Sequence, residues 1–362
     1  MLLIYKGNVN RETEKMNVLV TGNKGYIGSI MVPMLQASGF EVTGLDSDLF
    51  EDCIFGDASV SGAISNISYL RKDVRDVKLA DLNGVDAVAH LCALSNDPLS
   101  NLNPKMTYEI NHEGSVRLAK LAKNAGVKRF VLSSSCSVYG ASTADVVNEE
   151  SEVKPITPYA VSKVLAERDI SKLADSKFTP VFLRSSTAYG LSPMLRFDLV
   201  VNNFVAWSFT KGTVLLKSDG SAWRPFVHIE DISRAFIAAL RAPQDSVHNQ
   251  IINVGKNEEN YRIREVAEIV KQIVPNSEIK YAEGAEPDKR SYRVEFDKIA
   301  EFLPEFKPKW TVPMGAKQLY EAYKKVDLLV EEFEGPRYRR ISHLENSLRS
   351  GRVDKTLRRV GA

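Results

Sequence analysis

Val18-Leu19-Val20-Thr21-Gly22-Asn23-Lys24-Gly25-Tyr26-Ile27-Gly28 joins an apolar run that begins at Met16 to a segment of helical apolar spacing that continues through Leu35. The run reads as a strand, the glycines as a turn and the following segment as a helix. Gly22 permits the tight turn, Gly25 lets backbone N–H groups approach a phosphate, and Gly28 lets the helix pack close to the strand. The helix N-terminus then favours negative charge. This is the context in which a dinucleotide diphosphate is bound. A second apolar strand, Glu41–Leu45, leads into Asp46, 18 residues after Gly28. A carboxylate there accepts hydrogen bonds from ribose hydroxyls and repels a 2′-phosphate, so NAD is expected over NADP.

Working outward, strands and helices alternate. Strands are expected at Val18–Thr21, Glu41–Leu45, Ile67–Leu70, Ala87–Leu91, Phe130–Ser134 and Pro180–Leu183. Helices are expected at Ile27–Ala37, Tyr108–Asn124, Tyr159–Leu173 and Leu195–Lys211. The alternation implies an α/β fold, a Rossmann-type doubly wound parallel sheet. After Gly190 the pattern loosens into short strands near Val214–Leu216, Ile251–Asn253 and Glu278–Tyr281, with helices Ile229–Leu240 and Ile263–Val274. A smaller mixed α/β C-terminal domain for substrate is expected there. The resulting division is an extension at 1–15, a dinucleotide domain at 16–190 to which later segments return, a mainly substrate-binding part at 191–330 and a basic tail at 331–362.

Thr157-Pro158-Tyr159-Ala160-Val161-Ser162-Lys163 carries the candidate chemistry. Thr157 reads as a helix N-cap and Pro158 as its first turn. Tyr159 and Lys163 are four residues apart and share one helix face. A nearby cation favours the phenolate and is expected to lower the tyrosine pKa, making Tyr159 a proton shuttle for an alcohol or ketone. Upstream, the apolar strand Arg129-Phe130-Val131-Leu132 runs into Ser133-Ser134-Ser135-Cys136-Ser137-Val138-Tyr139-Gly140. Ser135 could bond a reacting oxygen, although serines at a strand end also serve as turn formers bonding their own backbone.

Together these motifs, T-G-x-x-G-x-x-G, S-S-S-x-x-V-Y-G and P-Y-x-x-S-K, resemble the extended short-chain dehydrogenase/reductase superfamily. Within it the chain is similar to the NAD-dependent nucleotide-sugar epimerase/dehydratase family from about Met16 to about Asp297. The resemblance implies a catalytic set of Ser135, Tyr159 and Lys163. It implies cofactor contacts at Gly22, Gly25, Tyr26, Ile27, Gly28, Asp46, Asp73, Val74, Leu91, Ala93, Leu94, Asn111 and Ser133, and at Tyr159 and Lys163 themselves. It also implies substrate contacts at Ser135, Thr187, Asn202, Arg224 and Arg290, with the two arginines on the diphosphate of a nucleoside-diphosphate sugar. An NAD-dependent epimerase working through a transient ketosugar is the expected activity, in a cytoplasmic homodimer.

Two departures bear on the reaction. In the family's 4,6-dehydratases Asp and Glu follow the catalytic hydroxyl; here Cys136 and Ser137 stand there, which disfavours elimination. Thr187 stands where relatives place a phosphate-binding asparagine. A one-way NAD(P)-dependent reductase or dehydrogenase would use the same residues and stays open. A 4,6-dehydratase and a non-catalytic nucleotide sensor are further alternatives.

Composition agrees. The chain has 362 residues, 44% of them hydrophobic, enough for one large core with an appended smaller domain. A net charge of +2 gives no bulk electrostatic case for a nucleic-acid or membrane partner. Cys53, Cys92 and Cys136 are too few and too scattered for a disulfide framework or a zinc site, and free thiols in a reducing compartment are expected. The five histidines are dispersed, and no metal is expected. Leu2–Tyr5 is too short for a signal-peptide core. Residues before Met16 read as a loose extension, with Met16 a possible natural start. Between Pro336 and Ala362 eight Lys/Arg face two Asp/Glu. Such a run either binds a polyanion or, more commonly, forms a solvated helix face or packs on an acidic patch of its own protein or a twin subunit.

Overall fold

The computed structural model describes residues 15–57, 67–95, 97–142, 144–286, 288 and 290–360. The expected extension at 1–15 falls outside them except for its last residue. Seven strands form the main sheet: β1 (Asn17–Thr21), β2 (Glu41–Asp46), β3 (Tyr69–Arg71), β4 (Ala87–His90), β5 (Arg129–Ser135), β6 (Thr179–Ser185) and β7 (Gln250–Val254). Their order is β7-β6-β5-β4-β1-β2-β3, and every pairing is parallel. The order reverses between β1 and β4, which is where an open α/β sheet leaves its ligand crevice.

Successive strand residues point to opposite faces, and the core divides accordingly. Val18 and Val20 of β1 pack with Met31, Val32 and Leu35 of helix Gly28–Ala37 and with Ile232 and Phe236 of helix Ile229–Arg241. Leu19, between them, faces the other way with Val88, Phe130 and Leu132, against Leu118 of helix Ser115–Asn124 and Ile170 of helix Pro158–Ser171. Both faces of the sheet are thus covered, as parallel sheets require.

A third apolar cluster lies toward the C-terminus. It gathers Phe197, Phe204 and Val205 with Phe226, Val266, Leu319, Tyr323, Phe333 and Tyr338. A three-stranded sheet of Thr187–Tyr189, Trp223–His228 and Asn260–Arg262 and a two-stranded pair, Thr213–Leu216 with Glu278–Tyr281, belong to this part.

Three elements differ from expectation. The strand near Ile251–Asn253 is not in the smaller part; it is the edge of the main sheet, paired with β6. Helix Leu195–Lys211 begins at Val200, because the Asn202 and Asn203 side-chain amides donate to the Arg196 and Phe197 carbonyls at 2.9 Å and hold that stretch as a loop. Helix Tyr108–Asn124 starts earlier, at Pro104 behind an Asn103 cap, and passes through a π-helical turn at Glu109–Gly114. No helix among the described residues is long and apolar enough to cross a membrane.

The basic tail folds onto the chain. Arg352 pairs with Asp52 at 2.8 Å, Arg358 with Asp76 at 3.1 Å, and Arg359 with Glu51. Arg75 donates to the Thr356 carbonyl at 2.7 Å. The tail therefore lies over the loops that follow β2 and β3.

Candidate active site

The Gly22–Gly28 turn closes as its sequence requires. Gly22 has φ +75° and donates to the Leu45 carbonyl at 2.7 Å. A Cβ on Gly22 would sit 3.0 Å from the Cys92 backbone nitrogen, and one on Gly28 would sit 2.1 Å from the Gly22 oxygen. Only glycine permits this close approach. Helix Gly28–Ala37 has no side-chain cap and no acidic residue in its first turn. The Ser29 and Ile30 amides bond the Gly25 and Ile27 carbonyls, so what this end offers an anion is the helix dipole, with no acidic side chain opposing it.

At the end of β2, Asp46 accepts the Lys24 and Asp48 backbone N–H groups at 3.1 and 3.0 Å. Burial raises its pKa above the usual carboxylate range, while these two hydrogen bonds work the other way. Asp48 takes up the neighbouring cations: Lys24 at 3.1 Å and Arg71 at 3.0 Å. It also accepts the Tyr69 hydroxyl at 2.6 Å. Beyond β3, Asp73 caps a short 3-10 turn and pairs with Arg75 at 2.6 Å.

Helix Pro158–Ser171 begins as expected, with Thr157 Oγ1 accepting the Ala160 N–H at 3.3 Å. Lys163 is 3% exposed and its Nζ donates to the Ser133 carbonyl at 2.7 Å. The same Nζ stands 5.7 Å from the Tyr159 ring centre. Ser135 Oγ accepts the Ser137 N–H at 3.1 Å, so it is both a turn former and a wall residue. The expected depression of the Tyr159 pKa is not found. Burial raises it, and hydrogen bonding with Ser135 pulls in the opposite direction. Burial also lowers Lys163, to about 8.

One cleft gathers these groups. Its walls carry Gly22, Gly25, Tyr26, Ile27, Gly28, Asp46, Asp73, Val74, Leu91, Ala93, Leu94, Ser133, Ser135, Tyr159, Lys163 and Thr187. Four expected contact residues are not among the wall residues. Asn111 is buried and exchanges hydrogen bonds with both backbone groups of Leu94, at 2.8 and 3.0 Å, so it fixes the wall loop. Asn202 is fully buried; its side chain accepts from the Gly190 N–H and donates to Tyr26 Oη and the Arg196 carbonyl. Arg224 and Arg290 come together, but on Asp288, at 2.9 and 3.0 Å, and Arg290 also reaches Asp97 at 2.5 Å. Their charges are met by carboxylates rather than offered to the cleft.

The sequence reading missed three groups. Arg196 lines the cleft and pairs with Asp198 at 2.6 Å. Glu167, four residues beyond Lys163 on the same helix, pairs with Arg184 at 2.7 Å and accepts the Ser134 hydroxyl. Helical spacing from Lys163 was the available signal for it. Arg340 and Leu357 of the tail also line the cleft; the basic run included Arg340 as a polyanion candidate, but nothing local placed it here, and no pattern points to Leu357. Cys136, in the position where the resemblance leads one to look for an acid, is buried, donates to the Arg184 carbonyl at 3.2 Å and has its thiol pKa pushed well up by burial. It supplies no proton there.

Residues 18–255 match the NAD dependent epimerase/dehydratase family. The chain is 32% identical over 264 residues to UDP-glucose 4-epimerase 4 of Oryza sativa subsp. japonica, covering 66% of this chain and 71% of that one. It is 27% identical over 322 residues to dTDP-D-glucose 4,6-dehydratase of Mus musculus, covering 85% and 88%. Among solved structures, MoeE5 in complex with UDP-glucuronic acid and NAD superposes with a TM-score of 0.73 at 26% identity, over 86% of this chain and 99% of the other.

Proposed function

The chain belongs to the NAD dependent epimerase/dehydratase family, and from that premise we propose that it inverts one stereocentre of a nucleoside-diphosphate sugar through a transient ketosugar. The observation that carries this reading is the meeting of Ser135, Tyr159 and Lys163 on the wall of the cleft that begins at the glycine turn, with Cys136 buried beside them. The glycine turn fits a dinucleotide: side chains at positions 22 and 28 would collide with the Cys92 and Gly22 backbone and force open the tight turn that lines the cleft. The Gly22–Gly28 turn would hold the diphosphate of NAD, Asp46 the adenosine ribose, and Asp73 and Val74 the adenine side. Bound there, NAD supplies a hydride acceptor that can return the hydride to the same carbon.

The chain's own groups move the proton. Tyr159 Oη takes the proton of the sugar hydroxyl as that carbon gives up its hydride, and the oxygen becomes a carbonyl. Ser135 donates a hydrogen bond to that oxygen. The Lys163 ammonium, held by Ser133, favours the phenolate against the burial that opposes it. After the ketosugar presents its other face, Tyr159 returns the proton to the oxygen. Atoms and charge then balance with no net redox change.

Similarity to a 4,6-dehydratase over 85% of the chain favours elimination as a second reading. Buried Cys136 and unbonded Ser137 Oγ, which provide no carboxyl pair, weigh against it. Incubation with UDP-, GDP-, dTDP- and CDP-sugars separates the readings. An epimerase gives a product of unchanged mass with one inverted centre and no build-up of NADH. A product lighter by one water identifies a dehydratase, and stoichiometric NADH formation or consumption a one-way oxidoreductase.

A further inference from the structure

Arg340 opens the tail helix Arg340–Arg349 and lines the cleft. It is 9% exposed, yet its Nε has no hydrogen-bond partner. Its Nη2 makes one long hydrogen bond, 3.4 Å, to the Met194 carbonyl. Among the described residues it forms no ion pair. Arg75, Arg184, Arg196 and Arg224 are about as deeply set, and each holds a carboxylate at 2.6 to 2.9 Å. A buried guanidinium left without a counter-charge is costly unless something else supplies one. Burial, with Arg196 close by, lowers Arg340 to about 10; Asp198 and Asp46 act the other way from a distance without pairing with it, and it remains a cation at neutral pH.

Its position says which anion fits. Ser192 Oγ donates to the Tyr26 carbonyl at 2.8 Å and accepts the Met194 N–H at 3.1 Å, so Met194, and Arg340 with it, is tied to the glycine turn. On its other flank the guanidinium lies 4.7 Å from the Phe50 ring centre, in the loop after Asp46. Arg340 therefore stands between the helix N-terminus suited to phosphate and the loop beside the ribose carboxylate. Guanidinium forks match phosphate oxygens in geometry and charge.

We propose that Arg340 is the counter-charge for the diphosphate bridge of the bound dinucleotide, so that the C-terminal segment completes the cofactor site. The inference rests on the proposed use of this cleft for NAD. The ion pairs of Arg352 and Arg358 with Asp52 and Asp76 hold the segment in place to do this.

Titration calorimetry on the full chain freed of cofactor, with NAD, ADP and adenosine as probes, tests it. Arg340→Met should weaken NAD and ADP by roughly tenfold to a hundredfold while leaving adenosine nearly unchanged. Arg340→Lys, which keeps the charge but loses the fork, should fall between. Wild-type ADP affinity in Arg340→Met overturns the inference. So does a parallel loss of adenosine and ADP, which would mean that the residue only supports the fold. A wild-type protein that binds no NAD overturns the reading of the cleft itself, and is distinguished from the other outcomes by that control.

Discussion

The Lys163 ammonium donates to the Ser133 carbonyl at 2.7 Å and stands 5.7 Å from the centre of the Tyr159 ring. The backbone of the serine strand thus fixes the cation beside the phenol, and strand and helix are locked together at the candidate site. Beneath them Glu167, Arg184, Tyr139 and Asn253 form a continuous buried chain of hydrogen bonds.

Tyr159→Phe removes the hydroxyl proposed as proton shuttle and keeps the ring. Turnover on the true substrate should drop by ~10²–10⁴-fold, with NAD affinity nearly intact. Steady-state rates and a cofactor titration measure both. Near-normal turnover would remove Tyr159 from the catalytic role.

Lys163, lowered to about 8 by burial, loses its charge as pH rises through that value. Activity should therefore decline on the alkaline side. Stability carries the opposite sign. Between about 8 and its ordinary 10.5 the unfolded chain binds the extra proton, so unfolding free energy should rise with pH in that window. Urea melts across it should show a slope that Lys163→Met reduces.

His90 bridges Thr21 at 2.6 Å and Ser115 at 2.7 Å, and burial lowers its pKa to about 3. It is neutral in the folded protein. The unfolded chain protonates it below about pH 6.5, so stability should fall as pH drops from there toward 3. His90→Asn should flatten that part of the profile. An unchanged acid limb would show that other groups govern it.

Glu167→Gln leaves the buried Arg184 without its carboxylate. A loss of about 3–5 kcal/mol is expected from denaturant melts, the range for breaking a buried pair. A loss near zero would mean that water or another group supports Arg184.

Cofactor choice should follow Asp46. The cations beside it, Lys24 and Arg71, are engaged by Asp48 and are poorly placed to receive a 2′-phosphate. Calorimetry should show tighter NAD than NADP, and Asp46→Ser should narrow the gap. Equal or tighter NADP binding by the wild type would contradict this.

The parts of the site that were legible in the sequence are those set by neighbouring residues. Gly22 to Gly28, Thr157 to Lys163 and the serine run each carry their geometry in a local turn, cap or strand end. The Asn103-Pro104 start of the long helix carried an equally local signal, a cap followed by a first-turn proline, and it was passed over. What lay beyond reach depends on tertiary docking. Whether Arg224 and Arg290 face substrate or Asp288 is decided by how the strand Trp223–His228 meets Asp288 and residues 290–293. Asn202 follows the same rule: its amide is turned inward to Tyr26, which is far away in the chain. Arg340 reaches the cleft only because the tail crosses the loops after β2 and β3. Burial also reversed the simple charge argument for Tyr159, since the desolvation around a phenol cannot be read from an i, i+4 spacing.

The central claim is that hydride leaves and returns to one carbon without passing through solvent. Turnover in D₂O, followed by mass spectrometry and NMR of the product, tests it most directly. The expected product is the epimer with no carbon-bound deuterium and no net NADH. Deuterium fixed on a sugar carbon, or a product lacking one water, would contradict the claim.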